Sequence, residues 1–117
     1  MAKLQRCLRG DYDEILRGVE EGILHGSVSA ELEDTSVFRD EDVRCTVLVF
    51  ERYSWFGGNR LSLTVSLFQP SEGPIRLSAI SAGGSQAMFW KINTVGEETF
   101  IDKLSEVLDA HPAWTVG

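Results

Sequence analysis

The chain has few of the residues from which metal sites and disulfide scaffolds are built. Its 117 residues include two cysteines and two histidines. Cys7 and Cys45 lack the CxxC spacing of a zinc or redox pair, and the histidines lie at no ligand spacing from them. The acids at 40–42 do not alternate as calcium ligands do, which predicts a solvated loop. We therefore predict no metal, no cofactor and two buried, reduced thiols.

Long apolar runs are absent as well. No segment approaches the roughly 18 apolar residues of a membrane helix. The first residues also lack the apolar core of a secretory signal. We therefore expect a cytoplasmic protein with no membrane contact.

Lysine and arginine are scarce relative to the acids. The chain has 11 basic and 18 acidic residues, which gives a formal net charge of −7. Because proteins bind nucleic acids mainly by placing Lys and Arg against phosphates, we expect no nucleic-acid partner. The remaining composition, 43% hydrophobic and 25% charged, is ordinary for a soluble globular protein, and the length predicts one domain over residues 1–117.

Two segments have the apolar spacing and the end signals of helices. In residues 11–26, Asp11 is the expected N-cap, with Glu14 three residues later and Gly26 as the stop. Residues 94–108 begin with a T-x-x-E capping box and continue into an apolar stripe, after which Pro112 ends the pattern. We therefore expect one helix near each end of the chain.

Strand patterns fill the rest of the sequence. A first strand is expected at 3–9, and apolar residues alternate with polar ones at 27–33, 43–50, 61–68 and 75–80. The fold class we predict is α+β, with an antiparallel sheet of four to five strands and two helices on one face. The order β-α-β-β-β-β-α, with room for a short strand at 86–92, is similar in topology to TATA-binding-protein-like or helix-grip-like folds.

The stretch Gly83-Gly84-Ser85-Gln86-Ala87 fits a loose nucleophile pattern, and Asp102 and His111 follow it in hydrolase order. On one helix, however, those two residues would lie roughly 13 Å apart, too far to share a hydrogen bond. No phosphate-loop motif is present, so the Gly-Gly pair predicts a turn or bulge, with an anion nest as the alternative. We therefore name no catalytic residue and favour a non-enzymatic protein.

One face of the predicted sheet carries the candidate site. We expect the helices to cover the side of Val43, Leu61 and Ile75, and the opposite face to hold arginines together with large apolar residues. Aromatic residues of the adjoining loops would form its rim. The candidate ligand- or partner-binding residues are Arg44, Leu48, Phe50, Arg52, Trp55, Phe68, Arg76 and Trp90.

Three occupants of that face are compatible with the sequence. They are the chain's own terminal segments, including Trp114, a second copy of the chain, and a small anionic or amphipathic ligand. The leading hypothesis is a non-enzymatic binding or self-associating module, with a dimer favoured among homo-oligomers.

Two further hypotheses come from other classes of protein. In a carrier, the helix glycines at 18, 22 and 26 would make room for a small apolar or anionic ligand between helices and sheet. Each interior glycine costs about 1 kcal/mol in a helix, so a weak helix or a close approach to the sheet are alternatives. An enzyme would need an acid–base pair that the sequence hides, such as Glu51 with Arg52 or Tyr53.

Residues 42–63, "DVRCTVLVFERYSWFGGNRLSL", and 77–104, "LSAISAGGSQAMFWKINTVGEETFIDKL", resemble a family of short, single-domain bacterial proteins known as a domain of unknown function. The similarity runs from the first strand through the last helix. The resemblance implies a bacterial, single-domain, cytoplasmic protein, and it implies no activity or substrate.

Overall fold

The computed structural model describes residues 2–26, 29–53, 60–83 and 100–116. Within them the chain forms β1 (Ala2–Leu8), α1 (Tyr12–Gly26), β2 (Glu31–Asp40), β3 (Val43–Tyr53), β4 (Arg60–Gln69), β5 (Ile75–Gly83), α2 (Phe100–Asp109) and a short 3₁₀ helix (Pro112–Trp114). This order confirms the predicted α+β fold. The capping box at 94–97 and the short strand at 86–92 lie outside the described residues.

The five strands of the described sheet lie in the order β1-β5-β4-β3-β2, and every neighbouring pair is antiparallel. β2 extends beyond its predicted end at residue 33, because it pairs with β3 as far as Asp40. Glu41 and Asp42 form the exposed turn between the two strands, which confirms the solvated acidic loop. Pairing with a neighbouring strand thus outweighs the low strand propensity of the acidic residues.

Helix α1 begins as its sequence pattern predicts, and both helices pack through apolar stripes as predicted; the predicted start of α2 lies outside the described residues. The Asp11 carboxylate accepts a hydrogen bond from the Glu14 backbone N–H at 3.0 Å, which confirms the N-cap. In each helix one stripe of side chains is buried: Tyr12, Ile15, Val19 and Ile23 in α1, and Phe100, Ile101, Leu104 and Leu108 in α2. In the described part of the chain, neither helix has the length and apolar character needed to span a membrane.

The strand register overturns the predicted assignment of faces for β3. Leu48 lies opposite Val65, and Phe50 lies opposite Leu63. Directly paired residues point to the same side, so the even positions of β3 share a face with the odd positions of β4. Leu48 and Phe50 are only 1% and 0% exposed, and they pack under the helices. A shift of one residue exchanges the two faces, and only the pairing decides it.

The glycines of α1 allow close contact with the C-terminal part of the chain. A Cβ at Gly18 would lie 2.5 Å from Trp114 Cη2, and one at Gly22 would lie 2.7 Å from Val107. The space that the carrier hypothesis assigns to a ligand beside these two glycines is therefore filled by side chains of the chain itself. Trp114 packs against α1, so of the three occupants considered for the opposite face, cover by Trp114 is excluded.

Candidate functional site

The face of the sheet opposite the core, here called the open face, presents three rows of side chains that run from β2 to β1. Directly paired residues place one side chain from each strand in every row. The rows are Phe38, Cys45, Phe68, Arg76 and Cys7; Ser36, Val47, Ser66, Ser78 and Gln5; and Asp34, Val49, Thr64, Ile80 and Lys3.

Large apolar side chains on this face remain in contact with solvent. Phe38 is 68% exposed, Ile80 is 42% exposed and Phe68 is 37% exposed. Val47 and Val49, between them, are half-buried. Phe38, Val47, Val49 and Ile80 are called the apolar strip. Val47 and Val49 are successive open-face residues of β3, Phe38 lies on the adjacent β2, and Thr64 separates Val49 from Ile80. Exposed apolar residues grouped on one face are typical of contact surfaces.

A groove of about 420 Å³ lies beside the apolar strip, across β1, β5 and β4. Its lining comes from two of the rows, together with parts of Arg6 and Leu77. The open-face residues that line it are Gln5, Cys7, Ser66, Phe68, Arg76 and Ser78. The lining therefore contains an arginine, an amide, a thiol, two hydroxyls and an aromatic ring, and it contains no carboxylate.

Of the predicted site residues, the structure brings Phe68 and Arg76 together on the open face as direct cross-strand partners. Arg44 and Arg52 belong to the helix-covered side with Leu48 and Phe50, so their predicted place on the open face is wrong. The reason is the β3 register described above. Trp55 and Trp90 lie outside the described residues.

Arg44 takes part in a structural network instead. Its guanidinium lies 4.0 Å from the centre of the Tyr12 ring and donates to Asp13 at 3.0 Å. The Tyr12 hydroxyl donates to the Leu67 carbonyl at 2.7 Å and lies 2.7 Å from the buried Thr46 hydroxyl, which is left to donate to it. Burial raises the pKa of Tyr12 above its ordinary value of 10.0, and the Thr46 hydrogen bond opposes part of that rise.

The acid–base pair considered at Glu51 has a different partner from those expected. Arg60 donates to the Glu51 carboxylate at 2.7 Å and lies 3.8 Å from Glu33. Arg52 instead lies over the Phe100 ring, 4.8 Å from its centre. Glu51 is therefore engaged in an ion pair on the sheet surface, as structural carboxylates commonly are.

The nucleophile pattern is described only at its first residue. Gly83 ends β5 with φ of 112°, and a Cβ there would lie 2.5 Å from the Arg60 carbonyl oxygen. Glycine is thus required by the backbone at this position. Gly84 and Ser85 lie outside the described residues, and His111 stacks on Trp114 with ring centres 3.9 Å apart.

The sequence patterns did not predict several of the residues on the open face. Phe38 lies beyond the predicted end of β2, and Cys7 was expected to be buried, although it is exposed and unpaired. Cys45, also unpaired, is half-buried on the same face. The extension of β2 to Asp40 could have been predicted, because Asp34, Ser36 and Phe38 occupy every second position and therefore share one face of a strand.

Comparison with known proteins places the chain in one family. A model of the family described as "Family of unknown function (DUF6054)" matches residues 1–112. Comparison with curated proteins finds no match. Because the matched residues include every described strand and the whole of α1 and α2, the chain belongs to the family of unknown function DUF6054.

Proposed function

We propose that the chain is a non-enzymatic module that binds a second copy of itself through the open face. The observation that carries this proposal is the apolar strip, in which Phe38 and Ile80 are exposed beside the half-buried Val47 and Val49. Packing the apolar strip of one copy against the apolar strip of a second copy would remove this apolar surface from water. The three rows contain no histidine that could activate a cysteine or serine, which favours binding over catalysis.

The charge distribution supports contact at the strip and limits its strength. Three of the four residues that flank the two valines in their rows, Ser36, Ser66 and Thr64, are uncharged, and the fourth, Asp34, would bring like charges near the centre. The whole chain carries a net charge of −7, and two copies therefore repel each other at longer range. We expect a reversible dimer rather than a permanent one.

The size of the strip leads to the same expectation. Four strands and three rows of side chains cover roughly 20 Å by 20 Å. Two such surfaces in contact would bury roughly 800 Å² in total, which is typical of weak and transient complexes.

We also propose that the protein is a bacterial protein of the cytoplasm. This proposal is supported by the family resemblance of residues 42–63 and 77–104. The free thiols of Cys7 and Cys45 agree with a reducing compartment.

Light scattering of the purified chain over a tenfold concentration range tests the proposal. We expect the mass to rise from 13.0 kDa toward twice that value as concentration increases. The variant Val47→Glu, which puts an unpaired charge at the centre of the strip, should remain at 13.0 kDa throughout.

Val116→Glu is the matched control, because it adds the same charge beside the 3₁₀ helix, away from the open face. This control should self-associate as the unmodified chain does. A chain that stays monomeric at every concentration, or a Val47→Glu variant that associates normally, would refute the proposal.

A further inference from the structure

The groove beside the apolar strip has a cation at its centre and no acid to balance it. Arg76 lies between Cys7 and Phe68 in one row, and Ser78 lies between Gln5 and Ser66 in the next. Side chains in adjacent strands lie about 5 Å apart, so the guanidinium, both hydroxyls and the amide can converge on one bound group. None of these lining residues is an aspartate or glutamate, so none can supply an anion for the guanidinium to bind.

Arg76 differs in this respect from Arg6, the other arginine beside the groove. Arg6, which also borders the groove, turns to the helix side and contacts Asp109 and Ser105 at 3.4 and 3.2 Å. Arg44 and Arg60 are paired with Asp13 and Glu51. In the described part of the chain, Arg76 makes no ion pair, although the protein has 18 acidic residues.

From these contacts we infer that the groove binds a small organic carboxylate that carries a flat apolar group. The guanidinium fork of Arg76 matches the two oxygens of a carboxylate, and Ser66, Ser78 and Gln5 provide further donors. The exposed ring of Phe68 forms an apolar wall on the neighbouring strand. The volume of about 420 Å³ lies within the roughly 300–1,000 Å³ range of small-molecule sites.

The carboxylate is favoured over a phosphate because the groove offers one unpaired guanidinium. Phosphate groups carry more charge and are commonly held by several cations or by a helix N-terminus. Neither described helix begins at the groove, since α1 starts at Tyr12 and α2 at Phe100. The groove and the apolar strip have no residue in common, and benzoate binding by the monomer does not depend on self-association. A dimer packed on the strip would cover part of the groove, because Ser66 and Phe68 lie between β3 and β5.

Benzoate is a suitable probe, with benzamide as its uncharged counterpart. We expect benzoate to shift the backbone amide resonances of residues 5–7 and 76–78 saturably, with a dissociation constant in the millimolar range, as befits so small a ligand. Benzamide should bind about tenfold more weakly or worse, because it cannot form a charge-assisted hydrogen bond. Titration at constant ionic strength removes the general effect of salt.

The variant Arg76→Gln should weaken benzoate binding about tenfold or more. Arg39→Gln is the matched control, because it removes the same charge from exposed β2 outside the groove. Equal affinities of benzoate and benzamide, or an Arg76→Gln variant that binds normally, would overturn the inference.

Cys7 provides a second readout that does not depend on the shifts. In a Cys45→Ala background, bound benzoate should slow the alkylation of the exposed Cys7 thiol by N-ethylmaleimide. The protection should disappear when Arg76→Gln is added. Unchanged alkylation at saturating benzoate would contradict the site.

The outcome can be separated from that of the self-association proposal. Val49→Glu, which also adds a charge to the strip and should be monomeric, should bind benzoate as the unmodified monomer does, since Val49 pairs with Thr64 and does not border the groove. Saturable benzoate binding by a chain that stays monomeric would refute only the self-association. A chain that dimerises, and whose monomeric Val49→Glu variant fails to bind benzoate, would refute only the carboxylate site.

Discussion

Tyr12 shows how a polar side chain is accommodated in the core of this protein. The first residue of α1, it reaches across to the sheet, where its hydroxyl meets Thr46 on β3 and the Leu67 carbonyl on β4. Thr46 is itself buried. Because each of these polar groups is satisfied by another, their burial costs little. Arg44 covers one face of the ring, and its guanidinium is paired with Asp13.

Replacing Tyr12 with phenylalanine should therefore destabilise the protein. The change removes the hydrogen bonds that the Tyr12 hydroxyl makes with the buried Thr46 hydroxyl and the Leu67 carbonyl. We expect the free energy of unfolding to fall by about 1–3 kcal/mol, as measured by urea denaturation. Adding Thr46→Val should not add its full cost, because the hydroxyl it removes has already lost its hydrogen bond to Tyr12. Fully additive losses would contradict the network.

Tyr12 also predicts a dependence of stability on pH. Its pKa is raised in the folded state, so its contribution is complete below the ordinary value of 10.0. As the pH rises through that value, the unfolded chain loses this proton first, and stability falls. The free energy of unfolding, measured by urea denaturation, should fall less between about pH 9 and about pH 11 in Tyr12→Phe than in the unmodified chain. Equal losses would show that Tyr12 does not contribute.

At the scale of elements, α1 and the C-terminal segment depend on each other through glycine. Trp114 lies against Gly18, and its position is held by two contacts. Its carbonyl accepts the Arg9 backbone N–H at 2.8 Å, and its ring stacks on His111. The ring is therefore a fixed neighbour of the helix. The conformational cost of glycine in α1 is offset by this close packing.

We expect Gly18→Ala to destabilise the protein, although alanine favours helix formation by about 1 kcal/mol. The added methyl group would lie 2.5 Å from a buried tryptophan, and overpacking of this kind costs about 1–3 kcal/mol. Gly26→Ala is the matched control, since its nearest neighbour, 3.0 Å away, is the flexible Lys103 side chain. Thermal denaturation of the two variants should place Gly18→Ala lower; the reverse order would contradict the contact.

The register of β3 makes a second prediction at this scale. Phe50 belongs to the core, whereas Val49, its neighbour in sequence, points to the open face. Phe50→Ala should lower the free energy of unfolding by about 3–5 kcal/mol. Val49→Ala should cost about 1 kcal/mol, because only part of its small side chain is removed from water. Comparable losses in the two variants would mean that the faces have been assigned incorrectly.

At the scale of the whole molecule, apolar packing is concentrated on one side of the sheet, while charge is spread over the rest. The helices bury the core face, and the apolar strip remains in solvent on the other. The net charge of −7 opposes the approach of two copies. Since salt screens this repulsion and leaves apolar contact in place, the proposed dimer should become stronger with added sodium chloride. Light scattering at fixed protein concentration should show a mass that rises with salt. A mass that falls with salt would mean that ion pairs hold the dimer together.

Much of the fold could be predicted because its signals are local. Asp11 and Glu14 mark the start of α1, and the spacing of Ile15, Val19 and Ile23 marks its buried side. The alternation in β4 and β5 likewise predicts strands, since side chains of a strand point to opposite faces in turn. These patterns require only neighbouring residues, and the order β-α-β-β-β-β-α follows from them.

The candidate site was harder to predict from the sequence, because its residues come together only through pairing between strands. Arg76 and Phe68 could be selected by residue type, but their neighbours Cys7, Ser66 and Ser78 meet only through the β1-β5-β4 alignment. The sequence by itself determined the elements, their order and the scarcity of metal-binding and basic residues. Only the tertiary structure decided that Phe50 is core and Val47 is open, because β3 is apolar on both sides and a shift of one residue reverses its faces.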